Sequence, residues 1–343
     1  MGEISMIGLD IAKNVFQVHG VDAQGVVVLR RQLRRGQVEK FFAELAPCKV
    51  GIEACGSAHH WGRVIGGYGH DVKLMPPAYV KPYVKRNKTD GRDAEAICEA
   101  VGRPSMRFVP VKSVEQQATL ALHGARSLLV RQRTMVANAL RAALSEIGIV
   151  AAQGLEGLRA LMAQLEAPSA EIPELMRGAL LLLARHWQRL DADERSLEQQ
   201  IKQAARADTD ARRLMKVPAV GPIIASTVLA KVPDARVFRT ARGFAAWIGF
   251  NTRQNNTGGK QRSGRISKQG DRTLRTLLIN GASAYLRQAI RRGVTDPWLA
   301  GLLARRPYKV VMVALAAKTA RIIWAMLVSG EEYGARASVP AAA

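Results

Sequence analysis

The stretch Ile4-Ser-Met-Ile-Gly-Leu-Asp-Ile-Ala-Lys-Asn-Val-Phe-Gln-Val-His-Gly-Val21 decides the fold at the start of the chain. Its apolar residues predict a first strand over residues 4–9, ending at Asp10, and a second strand over residues 15–21. A turn at residues 22–25 leads to a third predicted strand over residues 26–29. These three short strands follow one another in hairpin order.

The next sixty residues alternate between helix and strand. Their periodicity predicts helices over residues 37–45 and 58–65 and strands over residues 49–52 and 71–74. Two prolines, Pro76 and Pro77, interrupt regular structure, and Thr89 is the predicted N-cap of a third helix. This order of elements predicts an α/β domain with an RNase H-like fold over residues 1–112, by analogy at the level of the fold.

The middle of the chain has apolar residues at steps of four and seven. These steps predict two long helices forming a hairpin or coiled coil over residues 113–207, joined by a loop around Pro168 and Pro173. Four arginines make the first helix basic: Arg126, Arg131, Arg133 and Arg141. They are either a solvated face or an arm that contacts phosphates.

A mostly α domain is predicted over residues 208–330. It starts with Val217-Pro-Ala-Val-Gly-Pro222, which resembles a helix-hairpin-helix turn. A polar, glycine-rich loop over residues 251–264 precedes helices predicted over residues 273–291 and 309–327. Residues 331–343 are predicted to form a disordered tail.

The charge balance indicates a polyanionic partner. The 343 residues carry 51 Lys+Arg against 28 Asp+Glu, a formal net charge of +23, and nucleic acid is the usual partner of such a chain. The three cysteines suit neither a disulfide framework nor a zinc site, so a cytoplasmic location is expected. The apolar residues 310–328 are interrupted by Lys318 and Arg321, which favours a buried helix over a membrane span.

Four carboxylates occupy positions suited to metal-assisted phosphoryl transfer. Asp10 and Glu53 end strands that are neighbours in the RNase H order, and Asp90 and Asp93 share a face at the start of a helix. Such hard oxygen ligands can hold two Mg²⁺ ions, which stabilise the attacking and leaving oxygens. The structural alternative is that these residues are caps and helix-dipole partners.

Several motifs are similar to one family. Ile7-Gly-Leu-Asp-Ile-Ala-Lys-Asn14, Gly51-Ile-Glu-Ala54 and Lys88-Thr-Asp-Gly-Arg-Asp-Ala-Glu-Ala96 resemble the DEDD transposases of bridge-RNA-guided insertion sequences, which are related to Piv-type DNA invertases. In the C-terminal half the resemblance continues through residues 217–221, 244–249, 258–260 and 265–275. It covers roughly residues 4–330 in all.

The resemblance implies a function for both halves. Asp10, Glu53, Asp90 and Asp93 would be the Mg²⁺-binding tetrad of a RuvC-like domain. The C-terminal domain would supply a serine that attacks a DNA phosphate and forms a covalent link. A structured non-coding RNA would pair with double-stranded donor and target DNA. Members of the family work as homo-oligomers, so a dimer or tetramer with composite active sites is implied.

One position departs from the family pattern. The loop reads Gln254-Asn-Asn-Thr-Gly-Gly-Lys260, which puts Asn256, a residue with no hydroxyl, at the serine position. The chain is then an inactive or engineered copy, or another hydroxyl acts, from Thr257 or from Ser263. Thr257 is favoured over Ser263 because two glycines beside it let the backbone approach a phosphate.

Basic residues accompany both motif regions. The predicted nucleic-acid contacts are Lys88, Arg92, Lys260, Arg262, Arg265, Lys268 and Arg272. Two other functions remain open from the residues alone. One is an RNase H-like nuclease or Holliday-junction resolvase that uses metal-activated water, and the other is a catalytically inactive nucleic-acid-binding protein.

Overall fold

A five-stranded mixed sheet forms the centre of the N-terminal region. The computed structural model describes residues 3–84, 90–167, 171–255 and 262–334. The strands are β1 (Met6–Ile11), β2 (Val15–Val21), β3 (Val27–Arg34), β4 (Lys49–Glu53) and β5 (Asp71–Met75). Their order is β3-β2-β1-β4-β5, with β2 antiparallel to both of its neighbours and β1, β4 and β5 mutually parallel.

Helices cover both faces of this sheet. They are α1 (Val38–Glu44), α2 (Ala58–Gly67), the short α3 (Pro77–Val80) and α4 (Asp90–Val101). On the face of α1 and α2, Phe16, Phe42 and Trp61 are buried in one core. On the face of α4, Ile97 and Val101 pack in a second core. The predicted α/β region is therefore confirmed as a mixed α/β domain.

Helix α4 approaches the sheet closely because glycine lies beneath it. A Cβ atom on Gly8 would lie 2.1 Å from the carbonyl oxygen of Ala94 and 2.4 Å from the backbone nitrogen of Cys98. On β4, a Cβ on Gly51 would lie 2.7 Å from the Cβ of Val101. Contact this close is possible only where a strand residue has no side chain.

The middle of the chain contains one helix more than the sequence predicts. Helices α5 (Val114–Ser145) and α7 (Glu174–Ala207) are the two long helices, and α6 (Leu155–Glu166) lies between them in the chain. The break before Pro173 agrees with the predicted loop, whereas α6 was missed, although it has its own apolar stripe. Leu158, Leu161 and Leu165 of that stripe are buried with α5 and α7 in one core.

The C-terminal region is mostly helical, as predicted. Its helices are α8 (Thr209–Leu214), α9 (Pro222–Lys231), α10 (Ala241–Ile248), α11 (Arg272–Arg292), α12 (Pro297–Leu303) and α13 (Tyr308–Ser329). The predicted loop over residues 251–264 needs correction, because β6 (Thr252–Gln254) and β7 (Ser263–Ile266) pair antiparallel at its two ends. Backbone pairing of such short polar segments leaves little periodic signal in the sequence.

The turn between α8 and α9 has a backbone shape that favours glycine. Ala219 has a φ of 71°, in the left-handed region. Helix α11 packs against this turn through Gly281, where a Cβ would lie 2.3 Å from the carbonyl oxygen of Ala219. Helices α8 and α9 flank the turn at residues 217–222, as a helix-hairpin-helix requires.

Contacts divide the chain into two compact units. One comprises Met1–Gln116 with Val232–Asp234, and the other comprises Gln117–Lys231 with Ala235–Ala343. The first unit contains the mixed sheet and α1 to α4. The second contains nearly all of the long α5, together with α6 to α13.

One helix in the described ranges, α13, is long and apolar enough to cross a membrane by length and composition alone. Val311 and Ile323 on its inner face are fully buried. Its Lys318 lies 3.7 Å from a carboxylate oxygen of Asp296 and 4.0 Å from the ring centroid of Trp298. These contacts are those of a core helix, in agreement with the expectation for residues 310–328.

Replacing Gly8 by alanine should destabilise the N-terminal unit. The added methyl would meet backbone atoms of α4 that cannot rotate away, so the free energy of unfolding should fall by about 3 kcal/mol. Gly36→Ala is the matched control, because a Cβ there meets nothing within 4 Å. Urea denaturation of both variants measures the difference, and equal midpoints would contradict the close packing.

Candidate functional site

Two carboxylates lie side by side where β1 and β4 end. The strands are parallel and adjacent, with Leu9 opposite Ile52 in their register. Asp10 directly follows Leu9, and Glu53 directly follows Ile52, so both lie at the carboxyl-terminal edge of the sheet. Both are partly buried. The sequence-based expectation that these two residues end neighbouring strands is confirmed.

Both side chains leave the sheet on the side of α4. Gly8 and Gly51 face this helix, because a Cβ on Gly8 would meet Ala94 and a Cβ on Gly51 would meet Val101. Residues two apart on a strand share a face. Asp10 therefore follows Gly8 onto the α4 face, and Glu53 follows Gly51.

The N-terminus of α4 points to the same edge. At its other end, a Cβ on Gly102 would lie 3.1 Å from the side chain of Met6. The thiol of Cys98 lies 3.9 Å from the Met6 carbonyl oxygen. Since Met6 begins β1, α4 runs antiparallel to this strand. Asp90 and Asp93, in the first turn of α4, are thus placed towards the end of β1 that carries Asp10.

The charges of both carboxylates act on the thiol of Cys55. Burial raises the pKa of Cys55, and the negative charges of Glu53 and Asp10 raise it further. The sequence reasoning assigned no role to this cysteine. Its place two residues after Glu53 is the signal that would have drawn attention to it.

These carboxylates do not form a closed metal site among the described side chains. In the described ranges, no three His, Cys, Asp or Glu side chains gather closely enough to hold an ion. Asp10, Glu53 and Asp93 share one edge and each has partners of its own. Like charges repel, so a cation is what would draw such a group together.

The predicted basic residues divide into three groups. Arg262, Arg265, Lys268 and Arg272 are exposed, and no described carboxylate pairs with them. Arg92 is partly buried on α4 and lines a cavity of about 310 Å³ together with two carboxylates, Glu95 and Glu99. The third group, Lys88 and Lys260, lies outside the described residues. The same is true of two predicted catalytic residues, Asn256 and Thr257.

Arg275, which lies in the same basic run, is structural. It is buried and donates hydrogen bonds to the carbonyl oxygens of Ile248, at 2.7 Å, and Gln269, at 3.4 Å. These bonds close the loop between α10 and α11. Its guanidinium group is thereby committed to backbone oxygens of this loop.

The arginines of α5 are mostly neither a solvated face nor a phosphate arm. Arg133 lies 2.6 Å from Asp191 and 3.0 Å from Glu194, two buried carboxylates of α7. Arg126 lies 2.7 Å from Glu194 and also binds Glu198. Together these ion pairs join the two long helices. The signal for these ion pairs in the sequence is that arginines on one predicted helix face carboxylates on the other.

The other two arginines of α5 have different surroundings. Arg141 donates to the carbonyl oxygens of Ala152, at 2.9 Å, and Gly154, at 2.7 Å. Arg131 is exposed and fits the solvated face.

Histidines serve as buried or surface groups. His59 accepts a hydrogen bond from the backbone N–H of Lys112 at 3.2 Å. Burial, followed by the charges of Lys112 and Arg63, lowers the pKa of His59 to about 4. His60 is exposed and packs edge-on against Trp61. His59 is therefore held by contacts within the N-terminal unit, and His60 is a surface side chain.

A third histidine joins α5 to α9. Thr227 donates its hydroxyl proton to the carbonyl oxygen of Ile223 at 2.7 Å, so its oxygen accepts from Nδ1 of His123 at 3.3 Å. Nε2 of His123 then accepts from the hydroxyl of Ser226 at 3.0 Å. Burial, and then the charges of Arg126 and Lys231, lower the pKa of His123 to about 4. The sequence reasoning missed this buried contact.

Comparison with known proteins defines the class. A DEDD transposase family described as IS110-type matches residues 7–149, which include all four predicted carboxylates. A second family, described as the IS116/IS110/IS902 transposase family, matches residues 211–294. These two matches fall on the two motif-bearing halves, and both describe transposases.

Full-length relatives agree with this class. The chain is 53% identical to a "probable family 20 transposase" of Pseudomonas aeruginosa over 94% of this chain and 97% of that protein. It is 39% identical to the transposase of insertion sequence IS1328 of Yersinia enterocolitica, over 97% and 99% of the two chains. It is 41% identical to the IS1111A transposase of Coxiella burnetii, over 97% and 92%. The chain belongs to the IS110/IS116/IS902 family of DEDD transposases.

Replacing Arg133 by alanine should destabilise the helical hairpin. Asp191 keeps Arg195 and Glu194 keeps Arg126, so the loss is that of charge-assisted hydrogen bonds and the free energy of unfolding should fall by about 2 kcal/mol. Arg131→Ala removes the same charge from an exposed position and should change stability by about 0.5 kcal/mol or less. Urea denaturation compares the two. Unchanged stability with weakened DNA binding would instead place Arg133 in a nucleic-acid contact.

His123 should make the second unit less stable in mild acid. The unfolded chain protonates this side chain near pH 6.5 and the folded chain only near pH 4. Because the unfolded state binds the proton first, the free energy of unfolding should decrease as the pH falls from about 6.5 to about 4. His123→Gln should weaken this pH dependence, and exposed His186→Gln should leave it unchanged. Urea midpoints at pH 7.5 and pH 5 test the prediction; equal slopes in all three proteins would refute it.

Proposed function

We propose that this insertion-sequence transposase cleaves and exchanges DNA strands by a Mg²⁺-dependent reaction at the sheet edge that carries Asp10 and Glu53. The observation that supports it most directly is their placement on one face, beneath the N-terminus of α4. A family of transposases supplies the reaction class. The proposed fold of this region is RuvC-like.

The chemistry of the carboxylates suits a hard cation. Asp10, Glu53, Asp90 and Asp93 would hold Mg²⁺, since carboxylate oxygens are its preferred protein ligands. A bound Mg²⁺ supplies charge that stabilises the oxygens of a phosphate under attack. The carboxylates would position that cation, and the dipole at the start of α4 favours the negative charge of the phosphate.

The nucleophile is a hydroxyl from the loop over residues 254–264. Thr257 is the proposed group, with Ser263 as the alternative, because Asn256 stands at the expected serine position. In the step, a bond forms from the hydroxyl oxygen to phosphorus, and the bond from phosphorus to one sugar oxygen breaks. The nucleophile's proton leaves to a base, and the departing sugar oxygen takes up a proton.

The proposed partners follow from the family and the charge. Double-stranded donor and target DNA are the substrates, and a structured non-coding RNA pairs with them to select the sites. The net charge of +23 suits binding to both. A homo-oligomer, dimer or tetramer, would bring two DNA sites together, in the cytoplasm and on the nucleoid.

Covalent trapping tests the proposal. The full chain, Mg²⁺, the element's flanking RNA and labelled donor and target DNA are combined and analysed on a denaturing gel. We expect a DNA-shifted protein band that disappears in Thr257→Ala. Asp10→Asn should reduce strand cleavage by about 10²-fold or more, since even outer-shell losses at metal sites reach that size. Asp193→Asn, an exposed carboxylate of α7, is the control and should retain activity.

Each alternative has its own signature in this assay. Free cleaved ends with no adduct would support the nuclease or resolvase. A band only in Asn256→Ser would identify an inactive copy and would show that Asn256 stands at the position of the family's serine. No cleavage in any variant would overturn the proposal in favour of a nucleic-acid-binding protein.

A further inference from the structure

A row of polar side chains leads from Asp10 across the sheet. Asp10 lies opposite Gln17 on β2, and Gln17 lies opposite Gln32 on β3. The side-chain amide of Gln17 donates to the side-chain oxygen of Gln32 at 3.3 Å. Residues directly opposite in antiparallel strands share a face, so all three emerge on the side of α4.

Two arginines flank the outer end of this row. Arg30 and Arg34 lie two positions before and after Gln32, so they share its face of β3. The register supports this, because Arg30 lies opposite His19, which lies opposite Gly8 beneath α4. We call Gln17, Arg30, Gln32 and Arg34 the sheet-face track.

The track is open to solvent and positively charged. Arg30, Gln32 and Arg34 are exposed, and Gln17 is partly buried. Among the described residues, no carboxylate pairs with either arginine. The intervening residues of β3 turn the other way, since Leu33 is buried and Arg31 lies 5.8 Å from the ring centroid of Phe41 on α1.

We propose that the sheet-face track binds the backbone of the DNA strand that is cut beside Asp10. This inference rests on the proposed function for the position of the cut. The arginines neutralise phosphates, and the two amides donate hydrogen bonds to phosphate oxygens, so the track positions the strand without reading its bases.

The spacing fits a strand that crosses the sheet. Neighbouring strands are about 4.8 Å apart, so Gln32 lies about 10 Å from Asp10. For a duplex whose axis follows the row, the rise along that axis is about 3.4 Å per nucleotide. The track therefore contacts phosphates about three nucleotides from the cut. Arg30 and Arg34 each lie about 7 Å from Gln32 along β3, one on either side of the path.

The continuity of the row with Asp10 favours DNA over RNA as the occupant. Only the strand that enters the carboxylate edge must follow this row, and in a transposase that strand is DNA. A purely structural role is the competing explanation, since charged residues on an edge strand such as β3 also prevent pairing with other chains.

A salt titration of binding tests the track. The full chain carries Asp10→Asn, so that the DNA stays intact, with or without the pair Arg30→Gln and Arg34→Gln. We expect the pair to reduce the slope of log Kobs against log [salt] for target DNA by about 2, one phosphate contact for each arginine. The affinity at moderate salt should fall by about tenfold or more. Gln32→Ala should weaken binding with little change in slope.

Arg31→Gln is the matched control. It removes the same charge from the same strand on the opposite face, and its slope should stay at the parent value. Phosphate-ethylation interference gives a second readout, in which interference about three nucleotides from the cut should disappear in the double variant. Equal slopes for the double variant and Arg31→Gln, or a change confined to labelled RNA, would overturn the inference.

The two proposals fail separately. Undiminished cleavage by the single Asp10→Asn variant would overturn the carboxylate site, and the salt titration would then be run in a metal chelator to keep the DNA intact. An unchanged slope in the double variant would remove the track while leaving the carboxylate chemistry in place.

Discussion

The close contact of α4 with the sheet is the constraint on which the site depends. Because Gly8 and Gly51 have no side chains, the helix lies directly on β1 and β4. The same two positions orient Asp10 and Glu53, since each carboxylate is two residues further along its strand. A larger residue beneath the helix would lift its first turn, with Asp90, away from the edge. Packing and chemistry at this edge are therefore set by the same pair of glycines.

Much of the α/β region could be predicted from the sequence, because alternation of apolar residues and turn residues is a local signal. The strands ending at Asp10 and Glu53 and the helix beginning after Thr89 were predicted from that signal alone. The direction of α4 across the sheet could not be, since it depends on contacts between residues about ninety positions apart. Gly8 has no periodicity of its own, and its role appears only when Ala94 is placed above it.

The errors and omissions share this cause. Helix α6 was missed because it is short and the prolines after it dominate the local pattern, whereas burial against α5 and α7 stabilises it. The α5 arginines were judged by their own helix, although their partners lie on α7.

The ion pairs between α5 and α7 have a mechanical consequence. Arg126 and Arg133 are seven residues apart and meet α7 carboxylates in descending order, from Glu198 to Asp191, so only one alignment satisfies them all. Sliding one helix by a single turn, about 5.4 Å, would leave buried charges without their partners. The hairpin is thereby locked in register. Helix α5 has 32 residues and is about 48 Å long, and the pairs near its middle set the register along its whole length.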